Sequence, residues 1–343
     1  GYREVLQGTR LFRNELYLTI VAHPGRDRAE AAAGFVTRLG QARRGGGEVD
    51  AAALKRLNDA ARDITAALGR YGPVQLGLVE HDGILFSEPM RLLHLLASSE
   101  DLPTALPQGR IGSAAYTNRV IFGREAIEVR AVGGSLFAGM FGLKEYPAAT
   151  KPGMLNGLLS APFEFVLSQS FAFLSKADAK TVLTRKQNQL VSTQDVAASQ
   201  IDDLNDALDD LESNRFVMGD HHLSLLVRAD DPKALLETMA QARRVLAEAG
   251  AVVAREDLGL EAAYWAQMPG LFAHRARSGA ITSRNLAALS PFHSYPAGKS
   301  EGNHWGPSVA MLKTASGSPY HFSFHAGDLG NTFICGPSGS GKT

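Results

Sequence analysis

An α/β chain is predicted, its amino-terminal part an α+β region of mixed sheets and helices, and three observations carry that reading. From Val74 to Tyr146 short apolar runs are punctuated by glycine, the pattern of a sheet. From His222 to Ala254 strand-like and helix-like segments alternate, as they do in α/β and α+β domains. Near the carboxyl end, Asn331-Thr332-Phe333-Ile334-Cys335 is an apolar run leading straight into the glycine-rich stretch Gly336-Pro337-Ser338-Gly339-Ser340-Gly341-Lys342-Thr343.

Taken in order, Glu15 to Ala22 (ELYLTIVA) reads as a buried strand, because β-branched and aromatic residues dominate a short run bounded by Asn14 and the His23-Pro24-Gly25 turn. Two helices are expected next, separated by Gly45-Gly46-Gly47. In the second, Leu54, Leu57, Ala61, Ile64 and Leu68 recur at steps of three and four, which suggests an antiparallel helical hairpin packed on the core. Within the predicted sheet, Val120–Phe122 and Ile127–Val132 are joined through Gly123-Arg124. A helix at Met90–Ala97 interrupts it, and Pro103 and Pro107 mark a loop beyond that helix.

Past Pro152 a strand, Phe163–Phe173, leads into a long helical stretch. There Ile201, Leu204, Leu208 and Leu211 share one face, while Asp202, Asp203, Asp206, Asp209, Asp210 and Glu212 form a solvated acidic face. A strand (His222–Arg228), a helix and a strand (Ala251–Ala254) follow. That helix is well signalled, with Asp231 as N-cap, Pro232 at its first position and Gly250 past its end. Val309–Lys313 and Tyr320–Phe324 flank Ala315-Ser316-Gly317-Ser318 and read as a hairpin. His321 and His325 share a face of that strand but lie about 13 Å apart at ~3.3 Å per residue, too far to hold one metal, and no zinc site is inferred. The expected domains are 1–160 (α+β), 161–290 (α/β) and 291–343, the last opening a further domain.

Composition narrows the function classes. Of 343 residues, 45% are hydrophobic and 20% charged, ordinary for a globular protein, and 35 Lys and Arg balance 35 Asp and Glu. Zero net charge removes the electrostatic case for a stand-alone nucleic-acid binder. One cysteine, Cys335, precludes an intrachain disulfide, fits a reducing compartment such as the cytosol, and reads as a buried strand residue. The longest weakly polar run, Ala131–Leu143, is well short of the ~20 residues that span a bilayer. No Met stands at position 1 and the sequence stops at the last residue of a motif, so both ends read as cuts through a longer protein.

That motif, Gly336 to Thr343, matches G-x-x-x-x-G-K-[ST] at every fixed position, and the apolar run before it supplies the strand of a strand–loop–helix unit. Successive backbone N–H groups must curl around a polyphosphate, so glycines are needed where a side chain would block the approach or where φ is positive. Lys342 then reaches the β- and γ-phosphates, and the Thr343 hydroxyl completes the shell of Mg²⁺. ATP with Mg²⁺ is the expected cofactor pair, bound by Gly336, Pro337, Ser338, Gly339, Ser340, Gly341, Lys342 and Thr343.

Several stretches resemble the large ATPases of bacterial type IV secretion and conjugation machines, of the TrbE/CagE (VirB-system) type. They are Tyr264-Trp265-Ala266-Gln267-Met268-Pro269-Gly270, Arg284-Asn285-Leu286-Ala287-Ala288-Leu289, Trp305-Gly306-Pro307 with Leu312-Lys313-Thr314, and Gly330-Asn331-Thr332 running into the loop. The likeness is ordered from about Lys176 to Thr343 and diffuse before it. It implies a RecA-like carboxyl-terminal ATPase domain whose first strands begin here, in a hexamer or dimer of hexamers. It also implies an amino-terminal region docked on inner-membrane and cytoplasmic subunits of the machine, and hence a cytoplasmic protein held peripherally at the inner membrane. The family's Walker B acid, catalytic glutamate and arginine finger fall outside this sequence, so no catalytic residue is assigned and the chain alone is expected to be inactive. Two other readings stay open: a DNA-pumping ATPase of the HerA/FtsK sort, and a non-catalytic protein-binding scaffold.

Overall fold

The computed structural model describes residues 10–22, 51–192, 198–291, 295–325 and 327–339. The chain divides into two compact units, one made of Leu16–Thr117 with Met268–Ala273, the other of Gly1–Glu15, Asn118–Gln267 and His274–Thr343. Both mix helices with antiparallel strands, so the architecture is α+β.

The smaller unit begins with Leu16–Ala22, which is not a strand. Leu16 is 53% exposed and Tyr17 and Leu18 are similarly open. β-propensity expresses fit to a pleated, half-buried surface, and among the described residues no strand lies alongside to provide one. Helix α1 (Ala51–Ala67) forms where its three-and-four spacing predicts, yet none of its residues is buried, so the core packing expected for that stripe is not made among the described residues. Its expected partner helix, before Gly45, lies outside the described residues. Strands β1 (Leu78–His81) and β2 (Ile84–Ser87) form a hairpin across Asp82 (φ 51°) and Gly83 (φ 76°), the Asp-Gly pair that a two-residue turn of this hand requires. Ser87 ends β2 and caps α2 (Glu88–Ser98), its Oγ accepting from the Met90 amide at 3.3 Å, with Pro89 in the first turn. Met90, His94 and Ala97 are the buried face of α2. His94 is held at both ring nitrogens, by Glu100 O at 3.0 Å and Thr117 Oγ1 at 2.5 Å, just past helix α3 (Ile111–Ala115).

The larger unit is built on a seven-stranded sheet. β3 (Arg119–Phe122), β4 (Ile127–Ala131) and β5 (Gly134–Glu145) form a meander, and the short helix α4 (Asn156–Leu159) precedes β6 (Phe165–Phe173). After the helical pair α5 (Lys176–Ser192) and α6 (Ala198–Glu212), β7 (Met218–Ala229) runs antiparallel to β5 on one side and β6 on the other. Helix α7 (Pro232–Glu248), β8 (Val252–Arg255), α8 (Leu260–Trp265), β9 (Gly279–Thr282) and α9 (Ser283–Leu289) complete it, with β8 bonded to β5 and β9 to β7. The strands meeting at β7 come from both sides of residue 160, so the boundary expected there falls between two strands of one sheet. A long apolar central strand needs partners on both edges to satisfy its backbone groups, and β5 and β6 supply one each.

Period-2 alternation sends residues of the central strands to two cores. On one face Phe141, Leu143, Leu225 and Val227 pack with Leu235, Met239, Ala242 and Leu246 of α7. On the other, Met140 and Leu226 join Ile127, Val129 and the α8 residues Leu260, Ala263 and Tyr264. Covered on both faces, β7 is buried along most of its length, from Met218 to Val227 with Asp220 alone half-buried, although its first half carries Asp220, His221 and His222. Helix α7 starts where predicted, with Asp231 Oδ1 accepting from the Lys233 and Ala234 amides at 2.9 Å, and Gly250 (φ 77°) lies just past its end. Trp265 packs edge-on against Tyr264 and beside Phe122, the core role its sequence context favours. Much of the acidic α6 face is exposed, and two of its carboxylates form ion pairs with neighbouring segments. Asp210 meets Arg284 and Arg215, and Glu212 meets Lys180 and Lys176.

A polar network threads the sheet where β5, β6, β7 and the segment before β9 converge. His221 Nε2 donates to Gln169 Oε1 at 3.0 Å, which leaves Nδ1 to accept from the Tyr146 hydroxyl at 2.9 Å, the pattern of a neutral imidazole. Arg275 bridges Asp220 at 3.2 Å and Ser170 Oγ at 3.2 Å. Burial pushes His221 and His222 down to about 4; the charge of His222 adds to the effect at His221, Arg275 adds to it at both, and Asp220 opposes it. Burial, reinforced by Asp220, pushes Tyr146 up to about 12.

The stability consequence has a definite sign. Between pH 6.5 and 4 the unfolded chain takes up protons on these two histidines that the native chain refuses, so stability falls as pH drops through that window. Paired carboxylates such as Asp210, held low first by its hydrogen bond to Arg284, are lost only below the ordinary carboxylate range, so the histidines act alone in the upper part of the window. The urea midpoint of the larger unit is expected to fall measurably from pH 6.5 to 5. His222→Gln should flatten that slope, and an unchanged midpoint would contradict the burial of neutral imidazoles.

Candidate nucleotide-binding loop

The segment before the loop is assembled around a hairpin. β10 (Ala310–Lys313) pairs antiparallel with β11 (Pro319–Phe322), the hairpin the sequence predicts. Its turn is closed by hydroxyls: Thr314 Oγ1 lies 2.7 Å from both Ser316 Oγ and Ser318 Oγ, and Gly317 takes φ 87°. Gly298 forms a parallel bridge to His321, and a Cβ there would collide with the His321 carbonyl, so this position at φ 66° admits only glycine.

Beyond the hairpin, the Trp305 ring lies tilted beside His325 at 5.4 Å and near Gly330, where an added Cβ would stand 3.7 Å from the ring, while Thr332 Oγ1 donates to Phe324 O. The Trp305-Gly306-Pro307 and Gly330-Asn331-Thr332 stretches, far apart in sequence, therefore meet on the approach to the loop.

Asn331–Cys335 is not a strand. Phe333 is 89% exposed, and Cys335 is an exposed free thiol rather than a buried strand residue. The run has the composition of an interior strand of a parallel sheet, and such a strand takes its backbone partners from neighbours on both edges. Among the described residues none pairs with 331–335.

Of the predicted phosphate-binding residues, Gly336 is half-buried and Pro337, Ser338 and Gly339 are exposed; Ser340, Gly341, Lys342 and Thr343 lie outside the described residues. Gly339 adopts φ 79°, and no heavy atom lies within 4 Å of where a Cβ would stand. A positive φ with an open side is what a loop wrapping its amides around a polyphosphate requires, so the described part of the loop fits the group.

Sequence reasoning passed over the polar network on β7 altogether. Its members stand 75 and 52 residues apart along the chain (Tyr146 to His221, Gln169 to His221), and no local pattern links them.

The chain belongs to the CagE, TrbE, VirB family, a component of the type IV transporter system, whose family model matches residues 74–277, more than half of its length. It is 55% identical over 342 residues to the type IV secretion system protein virB4 of Bartonella henselae, covering all of this chain and 44% of that protein. The protein virB4 of Agrobacterium tumefaciens (strain 15955) is 43% identical over 342 residues, 99% of this chain and 42% of that one. The type IV secretion system protein PtlC of Bordetella pertussis is 36% identical over 363 residues, 100% of this chain and 43% of that one. The chain thus spans under half the length of these relatives. No helix among the described residues is long and apolar enough to cross a membrane.

Proposed function

We propose that this chain is the assembly region, together with the first strands and phosphate loop of a RecA-like domain, of an ATP-hydrolysing motor that powers type IV secretion, conjugative transfer and pilus biogenesis. The complete Gly336–Thr343 motif carries the reading, set within a chain whose relatives are type IV secretion proteins. In this reading residues 1–290 dock the motor on inner-membrane and cytoplasmic subunits, and 291–343 open the ATPase domain. The motor works as a hexamer or dimer of hexamers, on the cytoplasmic side of the inner membrane. Gly336, Ser338, Gly339, Ser340 and Gly341 turn backbone amides toward the phosphates of ATP, with Pro337 shaping the turn; Lys342 neutralises the β- and γ-phosphates, and Thr343 offers its hydroxyl to Mg²⁺. With Thr343 as its protein ligand, Mg²⁺ would supply positive charge to offset that of the phosphates. The acidic Walker B residue, the catalytic glutamate and the arginine finger are assigned to the full-length protein.

The test is ATP turnover by purified full-length protein. Magnesium-dependent hydrolysis indifferent to added duplex DNA is expected. Strong stimulation by duplex DNA would favour a DNA pump instead, and absence of turnover would favour a scaffold.

A further inference from the structure

The edge of the large sheet formed by β6 is long, uncharged and unprotected. β6 pairs only with β7, and because Leu174 N donates to Met218 O and Arg228 N to Glu164 O, the even-numbered residues of the strand direct their backbone groups toward β7. The N–H and C=O of Phe165, Leu167, Gln169, Phe171 and Phe173 therefore point outward, and none of them has a backbone partner among the described residues. Natural edges are blunted by lysine, proline, a bulge or brevity. This one runs nine residues with no charge, no proline and no register shift, and ends on Phe173, 73% exposed.

Its sequence, Phe-Val-Leu-Ser-Gln-Ser-Phe-Ala-Phe, is nearly the same read backwards. An antiparallel copy centred on Gln169 sets Phe165 opposite Phe173 of the second copy, Val166 opposite Ala172, Leu167 opposite Phe171, Ser168 opposite Ser170 and Gln169 opposite itself. Every pair matches in kind, aromatic or aliphatic with its like and hydroxyl with hydroxyl, and no like charges oppose. The register is also correct for the backbone. The residues brought opposite one another at 165/173, 167/171 and 169/169 are those whose amides point outward, so the five pairs exchange about ten hydrogen bonds. A two-fold interface is self-complementary by necessity, and a palindromic edge strand meets that condition in one dimension.

We propose that β6 is a self-association edge: two copies of the chain join antiparallel through Phe165–Phe173, with the two-fold axis at Gln169, continuing the sheet from one copy into the other. A strand from an unrelated protein would need no palindrome, which is why the second copy is the chosen occupant.

The experiment has two arms. In the first, the unmodified chain is followed by hydrogen exchange and sedimentation over a concentration series. The expected result is a monomer–dimer equilibrium in which the amides of Leu167, Gln169 and Phe171 gain protection as dimer forms. Protection there that does not change with concentration would mean the edge is filled within one chain or left open, and a chain that stays monomeric would equally overturn the proposal.

In the second arm the exposed native thiol is removed by Cys335→Ser, and Gln169→Cys and Ser168→Cys are compared under mild oxidation. On the axis, two residues at 169 stand about 5.5 Å apart between Cα atoms, within disulfide reach. Two residues at 168 are diagonal neighbours about 7–8 Å apart, beyond it. Gln169→Cys is expected to form covalent dimer at least about tenfold faster than Ser168→Cys. Equal rates, or faster linkage at 168, would refute the register and with it the proposed edge.

Discussion

Full-length protein carrying Lys342→Ala is expected to lose ATP turnover by two orders of magnitude or more while keeping its oligomeric state. The loop amides can still surround a polyphosphate, but the side chain that spans the β- and γ-phosphates is gone. The charge developing on the transferred group then meets no fixed cation from the loop, and removing one stabilising group of that kind typically costs about 100- to 1,000-fold. Lys342→Arg should fare little better, because a broad planar fork replaces a compact ammonium in a cradle sized by glycines. Assembly should survive, since none of the three core clusters among the described residues draws on 336–343. Phosphate release and sizing chromatography on the same preparation separate the two effects. Wild-type turnover in the alanine variant would remove the loop from the proposed mechanism.

The elements legible in the sequence were those whose signals are local. Helix α7 carries its own start and stop, Asp231 and Pro232 at one end and Gly250 at the other, and it lies where those residues put it. The β3–β4 and β10–β11 hairpins are likewise announced by two apolar runs around a short polar or glycine-containing turn. The α+β class followed from these.

What misled was the apolar run without a neighbour. ELYLTIVA and Asn331–Cys335 have strand composition, and neither is a strand among the described residues, because a strand exists only through the groups it bonds to. The joining of β5, β6 and β7 across residue 160 was equally out of reach, since pairings such as Phe141 with Leu225 have no signature within either segment. For the candidate site, the glycine, lysine and threonine pattern is a local signal in the sequence, of which the described residues reach Gly339. The placement of Trp305 beside Gly330 has no such signal, because it joins residues 25 positions apart.

Gly142→Ala tests another contact between residues distant in sequence, and it should destabilise the larger unit by roughly 2–4 kcal/mol, the range for overpacking combined with disruption of an ion pair whose carboxylate is buried. Gly142 lies in the middle of β5, where glycine ordinarily weakens a strand, so its presence calls for a spatial reason. That reason is Glu256. Just past β8, its amide donates to Met140 O at 2.9 Å, and its almost fully buried carboxylate is folded over β5 to meet Arg277. A Cβ on Gly142 would overlap Glu256 Oε1 and stand 3.2 Å from both Glu256 Cδ and Arg277 Nη1. The methyl group must therefore displace the buried carboxylate from its place against Arg277. Glu256→Ala should also destabilise, by leaving Arg277 unpartnered at that site, but it empties the space the methyl needs. The two substitutions should consequently be non-additive, with Gly142→Ala costing at least about 1 kcal/mol less in the Glu256→Ala background than in the wild type. Urea unfolding followed by the fluorescence of Trp265, which packs on the same sheet, gives the four midpoints. Strict additivity would show that Gly142 and Glu256 do not share that space in solution.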